Sequence, residues 1–168
     1  LKRIGLISDT HGYLDEAVFK HFADCDEIWH AGDFGPIDIA DRLAAGSGKP
    51  VRGVYGNIDA LDVQTKFPLR LTFQCEGVKV LMQHIGGYPG RYAPGIKEEI
   101  LRYKPGLFIS GHSHILKVMY DEKLKCLHMN PGAAGNQGWH KVRTIIRFKI
   151  DGDQMKDCEV IELGMRGI

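Results

Sequence analysis

The sequence predicts an α/β fold with a parallel core, built either as a two-sheet sandwich or as a mixed open sheet. Three observations carry that expectation. Short apolar runs alternate with segments of helical periodicity as far as Asn57, and such alternation usually produces βαβ units and a parallel sheet. Two hairpin signals, Glu76-Gly77 and Asp151-Gly152, each join a pair of strand-like runs, which adds antiparallel strands in the later part of the chain. Apolar residues make up 43% and charged residues 26% of the 168 positions, the balance of a chain that folds around one core. A single domain over residues 1–168 is therefore expected.

Taken in order, residues 2–8 (KRIGLIS) read as the first strand. Residues 13–25 carry Leu14, Ala17, Val18 and Phe22 at helical spacing. A strand over 27–32 (EIWHAG) follows, then a helix over 36–46 that opens with proline and closes with glycine, then a strand over 51–57 (VRGVYGN). Residues 70–84 form two strands around Glu76-Gly77, 96–104 (IKEEILRYK) a helix, and 107–111 (LFISG) a strand. The segments 117–130 and 143–163 are strand runs joined by polar turns. There is no internal repeat, low-complexity stretch or linker.

Charge and cysteine usage narrow the function classes. Lys and Arg total 22 against 21 Asp and Glu, a net charge of +1, so no basic footprint for a nucleic acid polymer is present and an anionic substrate must be met locally. Cys25, Cys75, Cys126 and Cys158 are far apart and form no C-x-x-C pair, which argues against a zinc ribbon or a disulfide framework and predicts small buried apolar residues. No apolar run approaches ~20 residues and no signal-type segment opens the chain, so no membrane span is expected and the cytoplasm is the predicted compartment.

In open α/β sheets, ligands collect beyond the carboxyl ends of the strands. Here the first strand ends in SDTHG (Asp9, His11), the second in AGDFG (Asp33), the third in YGNID (Asn57), a later one in QHIGG (His84) and the next in SGHSH (His112, His114). Each alone has a structural reading: Asp9 or Thr10 as a helix cap, Gly-Asp and Gly-Asn as turns, His84 as a core or surface residue. Eight histidines would by chance give roughly 0.4 His-x-His pairs, so His112 and His114 are not diagnostic by themselves. Those readings are independent of one another, and none explains a metal-type side chain at five successive strand ends. Carboxylates, imidazoles and one amide oxygen suit first-row divalent cations. Seven donors exceed what one ion with room for water and substrate needs, so two ions sharing one carboxylate fit the count.

The ordered pattern D-x-H, G-D, G-N, H, G-H-x-H resembles the calcineurin-like metallophosphoesterase superfamily, in particular its small bacterial and archaeal phosphodiesterase branch, which also includes the noncatalytic retromer subunit. The resemblance runs from Asp9 to about Gly132. It implies a four-layer αββα sandwich of two mixed sheets flanked by helices, with two divalent metal ions at the strand ends: manganese, with nickel, iron or zinc as alternatives. Carried over position by position, it implies Asp9, His11, Asp33 and His114 on one ion and Asp33, Asn57, His84 and His112 on the other, with Asp33 bridging. Asp33, Asn57, His84 and His112 would then be catalytic. The implied activity is hydrolysis of small phosphodiesters or nucleotides by in-line attack of a hydroxide shared by ions ~3.5–4 Å apart. The alternatives are a phosphomonoesterase, or a protein-binding scaffold on the same fold. His11 and His114 are expected to donate their second ring nitrogens to outer acceptors.

Two departures refine the expectation. Many relatives read G-N-H-[DE], with the added histidine near the leaving-group oxygen; here Ile58 stands there. Isoleucine donates no proton, and such help is typically worth ~10² to 10⁴ in rate, so substrates whose leaving groups need none are favoured. Asp59 is expected to support the loop. Where relatives carry His-Gly-His, this chain has His84-Ile85-Gly86-Gly87: His84 is kept, the glycines and Pro89 read as a turn, and Tyr88, Arg91 and Tyr92 are candidates to wall the substrate cleft, Arg91 by contacting phosphate. Trp139, His140 and Arg143 are further candidates to face substrate, and Asn130-Pro131-Gly132 reads as a structural turn. His21, His30 and His128 read as ordinary histidines.

Overall fold

A computed structural model describes residues 1–167. In chain order the elements are β1 (Lys2–Ile7), α1 (Ala17–His21), β2 (Glu27–His30), α2 (Asp38–Ser47), β3 (Val51–Gly53), α3 (Leu61–Lys66), β4 (Arg70–Cys75), β5 (Val78–Gln83), β6 (Gly87–Tyr88), β7 (Arg91–Tyr92), α4 (Ile96–Tyr103), β8 (Leu107–Ile109), β9 (Lys117–Asp121), β10 (Cys126–Asn130), β11 (Val142–Asp151) and β12 (Gln154–Met165). One five-stranded sheet has the order β12-β11-β1-β2-β3 and the other β4-β5-β8-β10-β9. Each has a parallel centre, β1-β2-β3 in one and β5-β8-β10 in the other, flanked by antiparallel strands.

Alternation along the strands explains the layering. Ile4, Leu6, Trp29, Ile146 and Phe148 of the first sheet meet Val80, Met82, Leu107, Ile109 and Met129 of the second in one buried core between the sheets. The opposite face of the first sheet, through Ile7, Ile28 and Ile145, packs on Val18 of α1, Ile39 and Leu43 of α2 and Val63 of α3. The outer face of the second sheet, through Leu81 and Phe108, packs on Ile96 and Ile100 of α4. The result is the four-layer αββα sandwich.

Several local expectations need correction. The helix over 13–25 shrinks to α1, because Asp15 Oδ1 accepts the Ala17 backbone N–H at 2.9 Å and starts the helix only there. The third strand stops at Gly53 instead of Asn57, since residues 54–57 turn into the site. Helix α3 was not predicted: of its six residues only Val63 is buried, too few for an apolar stripe to show. Residues 87–92 close into the small β6-β7 hairpin around the Pro89-Gly90 turn. Cys25, Cys75 and Cys126 are buried, but Cys158 is exposed on the edge strand β12. Among the described residues no helix is long and apolar enough to cross a membrane.

Candidate metal centre

Side chains from five strand ends converge at one end of the sandwich. Asp9, His11 and His114 form one cluster and Asp33, His84 and His112 another, each with its donor atoms within 4.8 Å of one another. His114 Nε2 lies 3.1 Å from Asp9 Oδ1. Asp33 Oδ2 stands 3.3 Å from His11 Nε2 and 3.1 Å from His84 Nε2, between the clusters. Asn57 Oδ1 joins the second cluster at 3.1 Å from His84 Nε2 and 3.0 Å from His112 Nδ1. All seven candidate residues are therefore brought together.

The donor set passes a test of fit. Ligands ~2.1 Å from one ion and at right angles stand ~3 Å apart, close to these spacings. Asp9 Oδ1 and His11 Nε2 are buried yet make no hydrogen bond, although both lie within ion-pair range of neighbouring donors. Buried polar atoms are rarely left so, unless something else is meant to meet them. Their partner oxygens are already engaged: Asp9 Oδ2 accepts from Ser8 Oγ at 2.6 Å and from the His112 backbone N–H at 3.2 Å. Asp33 Oδ1 accepts from the Ile58 N–H at 3.1 Å. Each carboxylate thus has one oxygen fixed by the protein and one directed into the cluster.

The electrostatics are those of a site built for positive charge. Burial alone would raise the Asp9 and Asp33 carboxyls, but the imidazoles beside them, His11 and His114 for Asp9, His11 and His84 for Asp33, hold both well below the carboxylate range. Asp33, then Asp9, push His11 up to about 9. A cation entering here displaces that proton.

The glycine before three of these residues has a spatial cause. A Cβ at Gly32 would lie 2.6 Å from His84 Nδ1, one at Gly56 would lie 2.0 Å from Asp33 Oδ1, and one at Gly111 would lie 2.8 Å from Asp9 Oδ2. Each ligand loop packs its glycine against a donor from another strand, which ties the G-D, G-N and G-H pairs together. The backbone itself is unusual: Asp9, His11, Asp33, His112 and His114 all adopt left-handed φ, between 46° and 72°.

Around them lies a layer of positioning contacts. Asp59 is buried and accepts the backbone N–H groups of Asp33 (3.0 Å), Gly35 (3.0 Å) and Gly56 (2.8 Å), clamping two ligand loops. His30, beyond the ordinary role expected for it, joins the first two loops: Nδ1 accepts the Gly32 N–H at 3.0 Å, and Nε2 is 3.1 Å from Thr10 Oγ1, which donates to the Phe34 carbonyl at 2.9 Å. Asn130 Nδ2 donates to the Gly111 carbonyl and Ser113 Oγ, fixing the loop that carries His112 and His114. The outer bond expected at His11 and His114 is found instead at His84, whose Nδ1 meets the Ala31 carbonyl at 2.7 Å. The backbone around Gly138 crowds the Nδ1 side of His114, and no outer hydrogen bond of His11 or His114 occurs among the described residues.

The other candidates divide. Tyr88 and Arg91 line a cavity that reaches His112. Tyr92 does not: its hydroxyl donates to Asp121 at 2.6 Å and ties the β6-β7 hairpin to β9. His140 places its ring edge-on to His114 at 5.2 Å, with Nε2 2.8 Å from the Gly135 carbonyl. Trp139 projects into solvent. Arg143 is buried and holds Asp15 at 2.8 Å and the carbonyls of Leu163 and Met165, so it is a structural tie and does not face substrate. Ile58 is half exposed, with no imidazole in its place.

A sandwich of two mixed sheets that gathers carboxylates, imidazoles and a carboxamide at its parallel strand ends defines a class, the metal-dependent phosphoesterases. The chain belongs to the calcineurin-like phosphoesterase superfamily, whose domain model matches residues 3–153. It is 31% identical over 169 residues to a probable metallophosphoesterase of Methanothermobacter thermautotrophicus, covering 96% of this chain and 92% of that one. A probable metallophosphoesterase of Methanocaldococcus jannaschii is 32% identical over 77% of this chain and 67% of its own length. Two solved structures share the fold. A Streptococcus pneumoniae protein described as a predicted phosphoesterase has a TM-score of 0.71 at 20% identity, over 96% of this chain and 89% of its own. Vps29 of Entamoeba histolytica, solved with zinc, has a TM-score of 0.73 at 14% identity, over 95% and 98%.

Proposed function

We propose that this chain hydrolyses small phosphodiesters or nucleotides at a centre that would hold two divalent cations, manganese in the first instance, with Asp33 serving both. The observation that carries the proposal is the place of Asp33 Oδ2, 3.3 Å from His11 Nε2 and 3.1 Å from His84 Nε2, within reach of both donor groups. Asp9, His11 and His114 would complete one ion's set, and Asn57, His84 and His112 the other's. The mixed oxygen and nitrogen donors suit manganese, nickel, iron or zinc. Bound divalent cations supply Lewis acidity toward phosphoryl oxygens and bring the pKa of coordinated water toward neutrality.

The protein's own groups prepare the site. The Ala31 carbonyl accepts the Nδ1–H of His84, which leaves Nε2 as the nitrogen that would meet a cation held with Asp33 and Asn57. Asp9 and Asp33, held ionised by the imidazoles around them, oppose the charge of the ions. Asn57 contributes a neutral oxygen, which leaves the second group less negative and better able to accept an anionic ester. Ile58 offers no proton to a departing alkoxide, so diesters of more acidic alcohols are the better substrates.

The test is to strip the protein with chelator, restore Mn, Ni, Zn or Fe singly, and compare an activated bis-aryl phosphodiester with the aryl monoester. Metal-restored turnover that favours the diester is expected. Preference for the monoester would make the protein a phosphomonoesterase. Absence of turnover with two bound equivalents per chain would replace catalysis with a scaffold role.

A further inference from the structure

Two cavities of similar size flank the candidate metal centre on either side of Ile85 and Ala93, one cationic and the other uncharged. One, about 310 Å³, reaches His112 and is walled by Tyr88, Ile85 and Ile115, with Arg91 and Lys117 in its lining and no carboxylate. The other, about 300 Å³, reaches Asn57 and His84 and is lined by Tyr55, Leu69 and Pro94, with neither cation nor carboxylate.

The two cations are free to act. Neither Arg91 nor Lys117 forms an ion pair among the described residues. Lys117 Nζ lies 3.9 Å from the centroid of the Tyr88 ring, an attraction that holds the ammonium at the cavity wall without neutralising it. The placement is built into the second sheet and the small hairpin: Lys117 pairs with Asn130 across β9-β10, and Arg91 pairs with Tyr88 across β6-β7. A larger neighbouring cavity of about 420 Å³ also contains Arg91, but there Glu98 and Asp121 offset the cations and no candidate metal ligand is reached.

We propose that the cavity holding Arg91 and Lys117 is an anion subsite, and that the substrate is an asymmetric diester. One ester arm is uncharged and lies beside Tyr55 and Leu69. The other carries a second anionic group, a carboxylate or phosphate, to Arg91 and Lys117. This rests on the phosphodiesterase reading, because a diester held at His84 and His112 has two arms to place and the structure offers two unlike cavities for them. Arg91 gives a planar fork suited to either anion, and Lys117 a point charge.

The test uses two phosphinates, in which carbon replaces both bridging ester oxygens so that no ester bond remains to be hydrolysed, on the manganese-loaded protein, one with a plain benzyl arm and one with a para-carboxylate on that ring, titrated by calorimetry. The carboxylated compound is expected to bind about tenfold tighter or more, as a charged hydrogen-bonded contact typically gives. That advantage should vanish in the Arg91→Gln/Lys117→Gln double variant and persist in Lys97→Gln, whose charge lies in the neighbouring cavity. Equal affinity of the two compounds, or an advantage that survives the double variant, overturns the subsite. Turnover of the bis-aryl diester judges the phosphodiesterase reading separately. Loss of turnover with the binding preference intact would remove that reading and leave the subsite standing.

Discussion

Asp9, His11, Asp33, His112 and His114 hold left-handed backbone, a conformation that costs non-glycine residues free energy of order 1 kcal/mol each and gathers at functional sites. Folding alone does not ask for it at five metal-type residues. The strain aims donors from adjacent positions at different points, which is how His112 and His114, two residues apart, enter different clusters. Buried histidines outside the two donor clusters are held neutral by burial. His128 is lowered to about 4 and His30 to about 3, both because burial disfavours the charged ring. Between pH 6.5 and 4 the unfolded chain takes up protons at these positions and the folded chain does not, so the stability these two histidines contribute is complete above pH 6.5 and falls as pH drops through that window. His128→Leu should reduce the stability difference between pH 7 and pH 5, measured by urea unfolding of the metal-free protein, by up to ~2 kcal/mol. An unchanged difference would mean that His128 titrates normally in the folded state.

Among the elements, the loops that end β1, β2, β3, β5 and β8 were legible because their chemistry is local: a donor at the strand end, preceded by a glycine after β2, β3 and β8. What the sequence left open was why the glycines are there. The answer is a contact between loops far apart in the chain, such as Gly56 against Asp33 and Gly111 against Asp9. Asp59 was legible only as loop support; that it clamps Asp33, Gly35 and Gly56 together depends on a fold that returns β3 beside β2. Asp59→Ala leaves three backbone N–H groups without their acceptor, and buried donors lose about 1–3 kcal/mol each when unpaired. The variant should be destabilised by about 3 kcal/mol or more and should bind metal more weakly, as denaturant unfolding and metal titration would show. Native stability with native metal affinity would remove Asp59 from the positioning role. Helix α3 and the β6-β7 hairpin were missed or underread for the opposite reason: each is too short to carry a periodic pattern.

At the scale of the whole molecule, the two sheets present their parallel strands so that five strand ends meet, and the fold class followed from the alternation that makes those strands parallel. Long-range ties did not follow. Arg143 looked like a substrate residue because it lies in a glycine-rich segment near the family turn, yet it joins β11 to Asp15 and to the carbonyls near the end of β12, with its guanidinium 5.3 Å from the Tyr13 ring. Arg143→Leu is expected to cost about 2 kcal/mol, as losing a charged hydrogen bond to the partly buried Asp15 and the bonds to two carbonyls does, while KM for a diester stays within about twofold. A large KM increase at native stability would return Arg143 to the cleft. The fold brings Asp33 between two donor groups, and its role there has a direct measurement: metal stoichiometry per chain, by elemental analysis after equilibration with manganese, in the parent protein and in Asp33→Asn. Two ions are expected in the parent, with weakened binding of both in the variant, an unchanged fold by circular dichroism and no hydrolysis. Two tightly held ions and full activity in Asp33→Asn would contradict that role.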